Sequence, residues 1–114
     1  VNSDNWPGDW MRAALTVCVL KTLDGGPTYG YAIATDLERA GFGDVKGGTL
    51  YPLLTRLETA GLVTTEWRKG DGGPGRKYFT LTEAGRTELT AQSARWQDFT
   101  THVQQHLSRK GIQR

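Results

Sequence analysis

The chain has 114 residues, 37% of them hydrophobic, with 14 basic against 12 acidic residues and one cysteine. That length gives one domain of ordinary size, or a small domain with an appendage, and the low hydrophobic share fits a chain carrying a long helix that needs a partner. Cys18 alone excludes an internal disulfide and a cysteine-based zinc finger, no apolar run is long enough to span a membrane, and VNSDNWPGDW lacks the basic region of a secretory signal, so a cytoplasmic protein without membrane association is expected.

Trp10 to Leu23 predicts a helix with almost no polar face, which calls for burial on more than one side. Gly25-Gly26-Pro27 ends it. Thr28 is placed to cap a second helix over Tyr29 to Ala40, with Ile33 and Leu37 on one face, stopped by Gly41 and Gly43. A third helix is expected from about Gly48 to Ala60, where Leu50, Leu53, Leu54 and Leu57 make an amphipathic stripe. Pro52 is tolerated there if the helix starts near Thr49, and Gly61 closes it. Leu62 to Arg68 and Arg76 to Leu81 read as the strands of a hairpin around the glycine-rich KGDGGPG tip. Thr82 then caps a long helix to about Leu107, its apolar stripe formed by Leu89, Trp96, Phe99, Val103 and Leu107. Residues 1–9 and 111–114 are expected to fray.

The expected fold is therefore mainly α with a small β-hairpin: a winged helix-turn-helix over residues 10–81, followed by a C-terminal dimerisation helix over 82–110. Charge follows the same division. Residues 1–45 hold three bases against six acids, whereas 46–77 hold six bases (Lys46, Arg56, Arg68, Lys69, Arg76, Lys77) against three acids. A basic stretch in a near-neutral chain suits an anion, although charged strands beside a solvated loop give the same count. Burial of the leucines leaves Gly48, Pro52, Thr55 and Thr59 facing outward beside Tyr51 and Arg56, a surface small enough for a DNA major groove. The hairpin cations can neutralise phosphates at the groove edge, and the glycines let its tip approach the backbone.

GGTLYPLLTRLETAGLVTTEW, followed by GGPGRKYFTLTEAG, resembles the PadR family of bacterial transcriptional regulators, and TYGYAIATDLERAG is similar to the family's second helix. The resemblance spans Trp10 to Leu107. It implies a homodimer joined by the last helix, repression at an inverted-repeat operator in double-stranded DNA, and often relief by a small molecule; the single C-terminal helix resembles the smaller subfamily. Many relatives carry Ser-Pro where Lys46-Gly47 stands here, so the helix cap is lost or moved to Thr49 and a cation is gained, which leaves the operator sequence open.

The residues expected at DNA are Thr28, Tyr29, Lys46, Thr49 and Tyr51, with Thr55 and Arg56 on the third helix and Arg76 and Lys77 on the wing. Tyr29 and Tyr31 have a rival role in the core, and Arg76 and Lys77 as plain strand-surface charges. Trp96 is either a core residue of a dimer seam or, as in drug-sensing relatives, a stacking residue for a flat effector, with Trp10, Ala14, Phe99 and Val103 sharing its wall. The effector's identity stays open among phenolic acids, hydrophobic antibiotics and nucleotide messengers. No cofactor is expected. His102 and His106 have metal-binding spacing without a convincing third ligand, Cys18 reads as an inert core thiol, and GDGGPG lacks the ending of a nucleotide-phosphate loop. No catalytic constellation stands out, which argues against an enzyme. The rival function is a winged helix that binds another protein rather than DNA.

Overall fold

The structure is a computed structural model that describes residues 6–70 and 73–111. Its first helix, α1, covers Gly8–Leu23, with Asp9 in the first turn paired to Arg12 at the helix's positive end. Leu15, Val19, Leu20 and Leu23 are buried on one face. Trp10, Arg12 and Ala13 stay exposed, so within one chain the helix is covered on fewer sides than its composition predicts. Cys18 is half-buried against the core, and burial pushes its thiol pKa up. The expected fraying fails at Trp6: its indole Nε1 donates to the Gly41 carbonyl at 2.8 Å and its ring stacks on Trp10 at 6.4 Å. Residues 1–5 and 112–114 lie outside the described residues.

Thr28 does not cap the second helix. Thr28–Tyr29 form a two-residue strand, β1, and helix α2 covers Gly30–Leu37 with Tyr29 at its N-cap and no side-chain cap bond. Backbone pairing with a distant strand outcompetes the local cap preference of threonine. The chain continues through a wide π-type turn over Glu38–Phe42, inside which Gly41 takes φ +102°, a conformation open to glycine without strain.

Helix α3 covers Gly47–Thr59. It starts one residue before the expected Gly48, with Lys46 at its N-cap and no side-chain cap, so the cap has not moved to Thr49. Pro52 consequently lies in the second turn rather than the first, and the bond it would donate to Gly48 is lost at an exposed site that solvent can satisfy. Leu50, Leu53, Leu54 and Leu57 are all buried, as the stripe requires. The helix ends in a Schellman arrangement: Gly61 N–H donates to the Glu58 carbonyl at 3.0 Å, Leu62 N–H to the Leu57 carbonyl at 2.9 Å, and Gly61 takes φ +77°.

Strands β2 (Val63–Arg68) and β3 (Arg76–Leu81) form the expected hairpin, although Asp71 and Gly72 of its tip lie outside the described residues. The sheet has three strands, in the order β1-β3-β2. Thr28 pairs with Phe79 and Tyr29 with Tyr78 on one side of β3, while β2 pairs with β3 from Val63↔Leu81 to Arg68↔Arg76. Val63, Phe79 and Leu81 point into the core formed by α1, α2 and α3.

The long helix α4 covers Glu83–Ser108. Thr82 caps it as expected, accepting from Gly85 N–H at 3.0 Å, while its hydroxyl donates to the Gly61 carbonyl at 2.8 Å. Gly85 and Leu89 are its buried residues, and Phe99 and Leu107 are 61% and 72% exposed. A Cβ on Gly85 would collide with the Leu62 carbonyl and come within 2.6 Å of Leu81 Cδ1. Gly85→Ala is therefore expected to cost about 1–3 kcal/mol and to lower the thermal midpoint by roughly 5–15 °C. Gly48→Ala, where a Cβ meets open space, is not expected to lower it. Thermal unfolding followed by circular dichroism checks both.

Candidate nucleic-acid interface

With its leucines inward, α3 exposes Gly48, Thr49, Tyr51, Pro52, Thr55 and Arg56 on the opposite side. Thr55 donates its hydroxyl to the Tyr51 carbonyl at 3.0 Å, which leaves the methyl group and lone pairs outward. Tyr51 lies across the start of α2, and its ring fills the place where any Cβ on Gly30 would stand. Glycine at position 30 is thus what lets the two helices of the motif meet through this ring.

Lys46 stands before α3 as the sequence suggests, but not as a free cation. Its Nζ lies 2.6 Å from the Asp44 carboxylate, and the hydrogen bond and charge of Asp44 raise the Lys46 pKa. The ammonium is held charged beside an acid.

The wing is built from alternating faces. On one, the Arg76 guanidinium lies over the Tyr29 ring at 4.3 Å, Tyr29 meets Tyr78 at 5.3 Å, and Arg68 covers Tyr78 at 4.5 Å. Such exposed cation–π contacts are worth about 0.5–1 kcal/mol each and orient the two guanidinium groups across the β1–β3–β2 surface. On the other face, Glu58 of α3 accepts from the Thr65 hydroxyl at 2.9 Å and lies 3.7 Å from Lys77 Nζ. The Lys77–Glu58 pair is roughly 40% exposed on both sides, so solvent screening limits it to about 0–1 kcal/mol, and Lys77 can leave it for a phosphate at small cost.

A cleft of about 530 Å³ lies between the wing and the two helices, lined by Tyr29, Gly30, Tyr31, Tyr51, Trp67, Gly75, Arg76 and Lys77. Four of the expected DNA residues, Tyr29, Tyr51, Arg76 and Lys77, are brought together there. Lys46 lines an adjoining groove between α2 and α3, again with Tyr51. Thr49, Thr55 and Arg56 lie on the exposed face of α3. Thr28 is set apart: it lines a recess with Thr22, Asp24 and Asp36 at the end of α1.

The expected effector residues divide. A cleft of about 470 Å³ between α1 and α4 is lined by Ala13, Glu88, Gln92, Arg95, Trp96 and Phe99. Trp96 meets Phe99 edge-on at 6.0 Å. Of the expected effector residues, Trp96 and Phe99 line this cleft, with Ala13 from α1; Ala14 and Val103 do not line it, and Trp10 is turned onto Trp6. His102 Nδ1 lies 2.8 Å from the Asp98 carbonyl, and among the described residues no three metal-ligand side chains converge.

Sequence reasoning passed over Trp67, Glu58 and Tyr78. For Trp67 a signal existed: it shares the inward phase of Val63 and Thr65 on β2 and lies directly across from Lys77. For Glu58 there was none, because its partners come from the sheet.

Residues 19–91 match the profile of the Transcriptional regulator PadR-like family. A transcriptional regulator from Mycobacterium tuberculosis, Rv3488, is 38% identical over 82 residues, covering 72% of this chain and 75% of the relative. Among solved structures, a PadR family transcriptional regulator from Eggerthella lenta superposes with a TM-score of 0.79 at 34% identity, covering 90% of this chain and 88% of the other. A PadR-like transcriptional regulator from Bacillus cereus gives 0.81 at 29% identity, over 90% and 100% of the two chains.

Proposed function

Because the chain belongs to the PadR-like family of transcriptional regulators, whose members bind DNA and are not enzymes, we propose that it acts as a homodimeric, effector-responsive repressor at an inverted-repeat operator. The observation that carries this reading is the joint surface of α3 and the wing. Small and polar α3 residues stand beside the wing, and the cleft between them is lined by Arg76 and Lys77 with no carboxylate among its described lining residues, while Lys77 also faces Glu58 of α3 at 3.7 Å. In this reading α3 enters the major groove, Thr49, Thr55 and Arg56 meet base edges, and Tyr29, Tyr51, Lys46, Arg76 and Lys77 hold phosphates.

The dimer reading is supported by α4. Beyond Gln92 it carries an apolar stripe whose Phe99, Val103 and Leu107 stay exposed, and Ala13 of α1 lines the cleft beside Trp96 and Phe99. An apolar seam of that kind on a long helix suits a symmetry mate. A flat effector between Trp96 and its mate would change the separation of the two α3 helices away from one DNA turn, roughly 34–36 Å, so that both half-sites are no longer engaged together.

Arg76→Ala and Lys77→Ala are each expected to weaken specific and mixed-sequence DNA alike. Each is also expected to reduce the slope of log affinity against log salt by about one for every phosphate that the variant no longer neutralises. Binding titrations over a salt series check this; a change in sequence preference alone would assign these side chains to base reading. Trp96→Ala is expected to weaken binding of a planar tricyclic dye such as proflavine about tenfold, with the dimer and free-protein DNA affinity nearly unchanged. Dye titration with light scattering decides: an unchanged dye affinity contradicts the effector role, and loss of the dimer assigns Trp96 to packing.

A further inference from the structure

Trp67 is 71% exposed, the most exposed of the four tryptophans. Its phase on β2 turns it toward the α3 side of the sheet, where Val63 is buried and Thr65 reaches Glu58, but it lies beyond the end of the core. Tyr51 and Tyr31, 50% and 74% exposed, line the same cleft. Trp67 and Tyr31 add little to the core, whereas the Tyr51 ring packs on Gly30 with its remaining face open to the cleft. A cluster of large exposed aromatics marks a surface for a partner. Gly75 keeps its wall low: a Cβ there would meet Trp67 Cε3 at 3.5 Å and the Arg68 carbonyl at 3.2 Å.

The lining combines apolar rings with two cations, Arg76 and Lys77, of which Lys77 also lies 3.7 Å from Glu58 in a screened, exposed pair that it can leave for a phosphate. Lys77 lies directly across the strand pair from Trp67, and Arg76, stacked over Tyr29 on the other face of the sheet, reaches the cleft lining from that side. A partner for this surface must present apolar faces and anions in short alternation. A single strand of duplex DNA does so, each deoxyribose being flanked by two phosphates.

We propose that the wing cleft seats one strand of the DNA backbone, with the Trp67 indole packed on a deoxyribose and Arg76 and Lys77 on the flanking phosphates. This rests on the DNA-binding reading above and adds to it a non-ionic contact. Trp67 removes sugar surface from water and fixes the height of the wing over the groove edge, while carrying no sequence information itself. Its contribution is therefore independent of salt, unlike that of the cations beside it.

The test uses the intact chain and a mixed-sequence DNA duplex over a salt series. Trp67→Ala is expected to weaken binding about five- to tenfold at every salt concentration with the salt slope unchanged, and the duplex is expected to quench tryptophan emission more in the wild type than in Trp67→Phe. Wild-type affinity in a folded Trp67→Ala would overturn the proposal and leave DNA binding by the other residues standing. A reduced slope would overturn it too, by showing that Trp67 only positions the cations. If Trp67→Ala does not fold, equal quenching in wild type and Trp67→Phe overturns it alone. Absence of duplex binding by the wild type would defeat the DNA-binding reading itself.

Discussion

Two backbone pairings, Thr28↔Phe79 and Tyr29↔Tyr78, hold the wing to the helix-turn-helix. Without them the hairpin would be held by its core residues Val63, Phe79 and Leu81 and by its connections to α3 and α4, as a two-stranded ribbon that is marginal by itself. With them, β3 becomes the central strand and the start of α2 is fixed one residue from the sheet. The Arg76–Tyr29 stack and the meeting of Tyr29 with Tyr78 follow from that register. The same constraint closes the cleft in which Tyr51, Trp67 and the wing cations stand together.

A second junction sets the direction of α4. The end of α3, the start of β2 and the start of α4 converge at Gly61, Leu62, Thr82 and Gly85, where the Thr82 side chain bonds both Gly61 and Gly85. Close approach at Gly85 leaves no room for a side chain. The helix leaves this point and projects beyond the core, giving the molecule a long axis of 68 Å against 33 and 20 Å. Helix α1 packs against α2, α4 and β3. One part of it borders the Trp96 cleft, and its N-terminal end is tied through Trp6 to the Gly41 carbonyl in the turn before α3.

Much of this fold was legible because its signals are local. The Leu50–Leu57 stripe, the Thr82 cap and the bounds of β3 each depend on residues within a turn or two of one another. The resemblance carried by TLYP, RLETAGL and RKYFTLT agrees with the family match over 19–91. What escaped depends on distant partners. A two-residue strand has no period to read, so Thr28 looked like a cap; its pairing partner lies about fifty residues on. Glu58 engages Lys77 from another element, and Asp44, although a near neighbour in sequence, captures Lys46 through side-chain geometry that charge counting does not contain. That Ala13 rather than Ala14 lines the α1–α4 cleft is a question of helix phase, which composition leaves open because α1 is apolar on so many sides.

In the proposed reading, α3 and the wing together form the DNA-binding face. Amide NMR spectra of the intact chain, recorded with and without a mixed-sequence duplex, test it most directly. The account predicts that shifts cluster at Tyr29 to Tyr31, Lys46 to Arg56, Trp67 to Arg68 and Arg76 to Lys77, with α4 beyond Gln92 nearly silent. Shifts concentrated on α1 and α4, with α3 and the wing unmoved, would contradict it.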